Sequence, residues 1–167
     1  MRILIVNTSE RTGGAAVAAG RLVSALNNSG VQARMLVRDK QTTNPVVVAL
    51  PKGVRSRWRF LWERWTIFWH LHFNRHNLFA IDVANTGADI TSLREFKQAD
   101  VIHLSWINQG MLSLSTIRKM VNSGKPVVWT MHDIWPATAI CHLTLGCNNF
   151  KQQCRRCKYL PGGGGDN

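Results

Sequence analysis

Residues 2–37 read RILIVNTSERTGGAAVAAGRLVSALNNSGVQARMLV. The opening run, residues 2–6, is short and apolar, as expected of a strand buried on both faces. Asn7-Thr8-Ser9-Glu10-Arg11-Thr12-Gly13-Gly14 breaks it. Ala15 to Leu26 is then rich in small residues and offers Val17, Leu22, Val23 and Leu26 as a packable helix face. Asn27-Asn28-Ser29-Gly30 stops that helix, with Gly30 suited to a left-handed cap. Val31–Val37 returns to strand. Strand, glycine turn, helix and strand within so short a span is a βαβ unit, which dictates parallel pairing.

The rest of the chain repeats the alternation. Val46–Leu50 reads as a third strand closed by Pro51-Lys52-Gly53. Residues 74–98 are irregular and polar, with a short helix expected over Ser92–Lys97. Ala99–Leu104 is the next buried strand. A helix over Met111–Val121 should pack through Leu112, Leu114, Ile117, Met120 and Val121 until Asn122-Ser123-Gly124 ends it. Lys125-Pro126 leads into a last buried strand, Val127–Met131. The pattern predicts an α/β fold, a Rossmann-like, doubly wound, mostly parallel sheet flanked by helices. One domain over residues 1–160 would carry a Cys-rich loop at 141–157. Residues 161–167 would be a flexible Gly-rich segment, a loop cut in its middle.

The 167 residues include 21 Lys+Arg against 9 Asp+Glu, a formal net charge of +12. That excess points to an anionic partner: nucleic acid, an anionic membrane face or a phosphorylated substrate. The apolar run after Met1-Arg2 is too short for a signal peptide. Nor is there a stretch of the roughly 18–20 apolar residues that a membrane span needs. The expected compartment is the cytoplasm, where clustered cysteines favour metal over disulfide.

The oddest segment is Val54–Phe73. Trp58, Trp62, Trp65 and Trp69 follow i, i+4, i+7, i+11, one stripe on a helix. Arg55, Arg57, Arg59 and Arg64 crowd the same element, opposed by Glu63 alone. Such a basic helix suits the headgroup region of an anionic membrane; alternatively the indoles cover another part of the protein.

Open parallel sheets bind ligands at the carboxyl ends of their strands, beside the point where strand order reverses. Three strand ends offer polar groups: Asn7 to Gly14, His103-Leu104-Ser105, and His132-Asp133. His132 is the leading catalytic candidate, because imidazole titrates near neutrality. Asp133 could orient it, or could cap a helix starting near Ile134-Trp135-Pro136. Gly13-Gly14 at a helix start is a plausible anion cradle or simply a tight turn. All four cysteines, Cys141, Cys147, Cys154 and Cys157, fall in one loop as C-x5-C-x6-C-x2-C. Only the last pair has the usual chelate spacing, so structural zinc stands beside disulfides or thiols. His142 is a spare ligand candidate, and Lys151, Arg155, Arg156 and Lys158 would stabilise thiolates.

Four stretches together resemble one family: Gly13-Gly14-Ala15 after the first strand, ADVIHLSWIN at 99–108, KPVVWTMHDIWP at 125–136, and the Cys-His…Cys…Cys-x-x-Cys loop. The resemblance is to the amino-terminal half of bacterial glycosyltransferases of family 4, retaining enzymes with a GT-B fold. It implies an acceptor-binding half of an enzyme that moves a sugar, hexosyl in type, from a nucleotide-sugar donor to a lipid-linked or cell-surface polysaccharide. It places the protein at the inner face of the plasma membrane and needs no cofactor for catalysis, so any zinc would be structural. It sets His132 near the transferred sugar and Gly13-Gly14 near the donor phosphates, with His103, Ser105 and Asp133 lining the substrate site. Two positions depart from the family pattern. Ser105 stands where relatives have a second histidine, and Ala137-Thr138-Ala139-Ile140 where they have Phe-Thr-Gly-Gly. The family's carboxyl-terminal donor-binding domain is not among these residues, so this half alone is expected to be inactive. The alternative is a zinc-stabilised basic module that binds nucleic acid or an anionic membrane without catalysis; under the first reading no nucleic acid is expected.

Overall fold

In a computed structural model, residues 1–51, 54–75, 77–144, 146–154, 157 and 159 are described, residues 54–56 by backbone alone. Arg155, Arg156, Lys158, residues 161–167 and the side chain of Arg55 therefore lie outside the described residues. The elements run β1 (Arg2–Ser9), α1 (Gly14–Asn28), β2 (Gln32–Asp39), β3 (Val47–Ala49), α2 (Val54–His70), α3 (Arg94–Gln98), β4 (Val101–Leu104), α4 (Leu114–Val121) and β5 (Val127–Trp129). The five strands lie in the order β3-β2-β1-β4-β5, every neighbouring pair parallel. The Rossmann-like α/β expectation is borne out. Strand order reverses between β1 and β4, the place where such sheets open a crevice.

Alternation along the strands sorts the core into two layers. On one face Ile5, Ala33, Met35 and Val37 meet Ala19 and Val23 of α1. On the other, Leu4, Val6, Leu36, Ile102 and Leu104 pack with Phe96 of α3 and Met120 of α4. A third cluster of Ile67, Ile81, Ile140 and Tyr159 ties α2 to the segment after it and to the Cys-rich loop.

The structure corrects several local expectations. The last strand is not buried: it stops at Trp129, and Val128 is 50% exposed. It is an edge strand, and only Val127 and Trp129 reach the core. Helix α4 starts three residues late, because the Ser113 hydroxyl accepts the Thr116 amide and caps it there. Met111 and Leu112 stay buried in the loop before it, while Leu114 and Val121 face solvent. On α1 the small Ala16 and Ala19 make the close contact and Val17 points outward. The supposedly polar stretch 74–98 supplies buried Ile81, Asp82, Ala84, Ala88 and Ile90. The helix expected near Ile134 is a single 3-10 turn, Trp135–Ala137.

Candidate functional site

The carboxyl ends of β1, β4 and β5 border a cleft of about 570 Å³, lined among others by Asn7, Gly13, Gly14, Arg38, Trp106 and His132. The structure thus brings the diglycine bend and His132 to one groove. Gly13 has φ 89°, open to glycine at little cost, and turns the chain into α1. No side chain caps that helix start.

Beyond the ends of β4 and β5 the period-2 alternation continues and sorts the polar side chains. His103 and Ser105 share one face with Thr130 and His132. His103 Nε2 lies 2.9 Å from Thr130 Oγ1, and Ser105 Oγ lies 2.8 Å from His132 Nε2. His132 is exposed at the cleft rim, whereas His103 is buried. Burial, with a smaller push from the nearby His132, holds the His103 imidazole below its ordinary pKa and favours the neutral ring. Ser105, where the family pattern has histidine, is the residue that holds the His132 ring.

Asp133 lines the same cleft but is bonded to other partners, not to His132. Its Oδ2 accepts Trp106 Nε1–H at 3.0 Å and faces His142 Nδ1 at 2.7 Å. Its Oδ1 accepts the Trp135 amide at 2.9 Å, at the start of a 3-10 turn whose N-cap position is Ile134 rather than Asp133. Burial alone would raise the Asp133 pKa, but bonds from His142, Trp135 and Trp106 together hold it below the usual carboxylate value. His142 is therefore a partner of Asp133, and its ring lies 5.9 Å from that of Trp106.

The floor of the cleft was not foreseen. The Trp106 amide donates to Asn7 Oδ1 at 2.9 Å, and Thr8 Oγ1 donates to the carbonyls of Trp106 and Asn108 at 3.0 Å. These bonds stitch β1 to the loop after β4. In that loop Gln109 adopts φ 59° and Gly110 φ 75°. The Gln109 amide donates to Asp82 Oδ2 at 2.7 Å, and the Arg38 guanidinium donates to the Gln109 carbonyl. Arg38 also pairs with Asp39 at 2.8 Å and lies over the Phe60 ring of α2.

Helix α2 is built inside out. Glu63 and Arg64 are buried, while Trp58, Trp62, Trp65 and Trp69 are 63%, 57%, 52% and 60% exposed. Among the described residues the indoles are thus not buried against another part of the protein. Arg64 NH1 donates to the Leu78 carbonyl at 2.6 Å, and its NH2 reaches Asp82 Oδ2 at 3.3 Å and Glu63 Oε2 at 3.4 Å. The Glu63 contact is a close approach without hydrogen-bond alignment. Burial first, then the Asp82 carboxylate, push the Glu63 pKa up to about 9, against the opposing pull of Arg64. At neutral pH Glu63 therefore keeps its proton, and the trio carries one buried cation against one buried anion.

Cys147, Cys154 and Cys157 are half-buried free thiols, and Cys141 forms an isolated bridge with Ile81. Among the described residues no three His, Cys, Asp or Glu side chains come together as a metal-holding group. The four cysteines thus do not converge on one point.

Compared with known proteins, a stretch of 63 residues is 36% identical to part of WcaC of Escherichia coli K12, named as a candidate colanic acid biosynthesis glycosyl transferase. The match covers 36% of this chain and 15% of WcaC, so the chain spans a small part of the relative it matches. No protein-family model and no solved structure matches the chain. The similarity supports a relationship to glycosyltransferases.

Proposed function

We propose that this chain is the acceptor-side half of a retaining sugar transferase of the GT-B type. It would receive a hexosyl group from a nucleotide-sugar donor onto a glycan or glycolipid. The observation that carries the reading is the cleft itself: His132, aligned by Ser105, faces it from the segment after β5, and Gly13-Gly14 faces it from the β1–α1 turn. An amide-rich helix start suits the donor's phosphates, and the imidazole suits a sugar hydroxyl. The partial similarity to a glycosyl transferase points the same way. A structural zinc at Cys141, Cys147, Cys154 and Cys157 belongs to the proposal on the spacing of the last pair alone, and would require the thiols to gather around it. Metal analysis of protein purified without added zinc tests this; a folded, metal-free chain removes it.

The test of function joins the chain to a donor-binding half and follows transfer from nucleotide-diphosphate sugars by mass spectrometry. His132→Ala is expected to lower kcat roughly 10²-fold. Unchanged kcat in a folded variant would remove His132 from the site.

Through α2 the half would lie on an anionic membrane surface at the cytoplasmic face. The exposed indole stripe, with Arg57 and Arg59 on the same helix and a net charge of +12, favours this reading. Among the described residues no helix is long and apolar enough to cross a membrane. Sedimentation with phosphatidylglycerol vesicles at low salt should capture the chain, and phosphatidylcholine vesicles should capture less. Absence of binding to both would end the reading. A nucleic-acid role is not favoured, since the exposed indoles are confined to one helix; a gel shift at low salt should stay flat.

A further inference from the structure

We infer that α2 holds a single lipid molecule, its hydrocarbon chain in a groove along the helix and its phosphate on Arg75. The inference rests on the reading that α2 faces lipid and goes beyond it, from a surface that touches a bilayer to a built site for one molecule.

The groove has a volume of about 600 Å³ and is lined by Trp58, Leu61, Trp62, Trp65, Phe68 and Leu78, with Arg64 and Arg75. This is within the size range of small-ligand sites. Its opposite walls are fixed to each other from beneath. Arg64, anchored on Asp82, donates to the carbonyl of Leu78, so the far wall is tied to the helix that forms the near one. Arg64 also lies over the Phe79 ring, 5.4 Å from its centroid. Its guanidinium is thereby committed to the protein and is not the headgroup ligand.

Arg75 is different. It lines the groove but is exposed, and no side-chain ion pair engages it among the described residues. An apolar trough with a cation at its margin matches an amphiphile whose one end is hydrocarbon and whose other is an anion. A guanidinium can bind phosphate oxygens in bidentate fashion. On the other side of Trp58 and Trp62 a second hollow of about 310 Å³ contains Arg59, so positive charge flanks the trough. Exposed indoles at such a margin lie at the depth where a lipid's chain meets its headgroup. A second copy of this chain fits less well, because two such basic faces would repel.

The test uses decyl phosphate, decanol and inorganic phosphate, each below any micelle concentration, titrated into the 167-residue chain and followed by tryptophan emission. Decyl phosphate should saturate, binding about five- to tenfold more tightly than decanol, and inorganic phosphate should produce no change. Arg75→Gln should erase the preference for the phosphate. Leu61→Glu, at an exposed position, should abolish binding of both amphiphiles with the circular dichroism spectrum unchanged. Equal binding of decyl phosphate and decanol, or a response to inorganic phosphate alone, overturns the inference. Vesicle binding without binding of monomeric decyl phosphate overturns the groove and leaves the membrane-surface reading standing. A dimer in sedimentation velocity that Leu61→Glu dissociates overturns both.

Discussion

Replacing Glu63 by glutamine isolates the proton that the buried trio holds. The folded carboxyl has a pKa of about 9 against an ordinary value of 4.5. The folded chain therefore binds one more proton than the unfolded chain between these values. The contribution of Glu63 to stability is complete below about 4.5 and is lost as pH rises toward 9. The steepest slope one proton can give is about 1.4 kcal/mol per pH unit, so the loss from pH 5 to pH 8 is at most about 4 kcal/mol. That is a large part of the roughly 5–15 kcal/mol that keeps a domain folded. Glutamine keeps the volume of the protonated acid but has nothing to ionise. Urea unfolding of both proteins at pH 5, 6, 7 and 8 reads the difference, and groups common to both cancel. The variant should gain on the parent with each step in pH, while the dependence on urea stays the same. Parallel pH profiles would refute the assignment of a proton to Glu63.

Gly87→Ala should destabilise strongly, because a Cβ there would sit 2.2 Å from the Ser113 amide nitrogen at the cap of α4. A cost of about 3 kcal/mol or more is expected in thermal unfolding. Asp133→Asn removes the charge that faces His142 and should cost about 1–3 kcal/mol at pH 7. Because the Asp133 pKa is lowered when folded, its contribution is present above the ordinary carboxylate value of 3.8 and is lost on acidification below it. The gap between variant and parent should therefore close at low pH, and a gap independent of pH would refute the pairing. Ser105→Ala should leave stability nearly unchanged but free the His132 ring, visible as a changed imidazole shift in NMR titration.

The sheet was legible because parallel strands buried on both faces announce themselves as short apolar runs. Ile3–Val6 and Val101–Leu104 needed no context. Val127–Met131 misled for the same reason: an apolar run does not say whether both faces will be covered, and here one is not. His132 and Gly13-Gly14 could be placed at strand ends by period alone. Asp82 could not, since nothing local distinguishes it from a surface aspartate. Its importance comes from Arg64 and Gln109, distant in sequence and joined only by the fold. Glu63 and Arg64 were hidden by the helix they sit on. The indole stripe could be read either way from sequence, outward to a membrane or inward over the protein; here it looks out, and Glu63 and Arg64 look in.

The sheet also tapers. Two of its three interior strands, β1 and β2, are eight residues long and the third, β4, has four, while its rims, β3 and β5, have three each. Pro126 stands at the head of β5 without an amide hydrogen to offer. A stray strand from a neighbouring molecule would find only a few rungs to grip at either margin. Short outermost ladders and positive charge are the means by which sheet proteins discourage sideways growth into an aggregate, and this α/β layer has both.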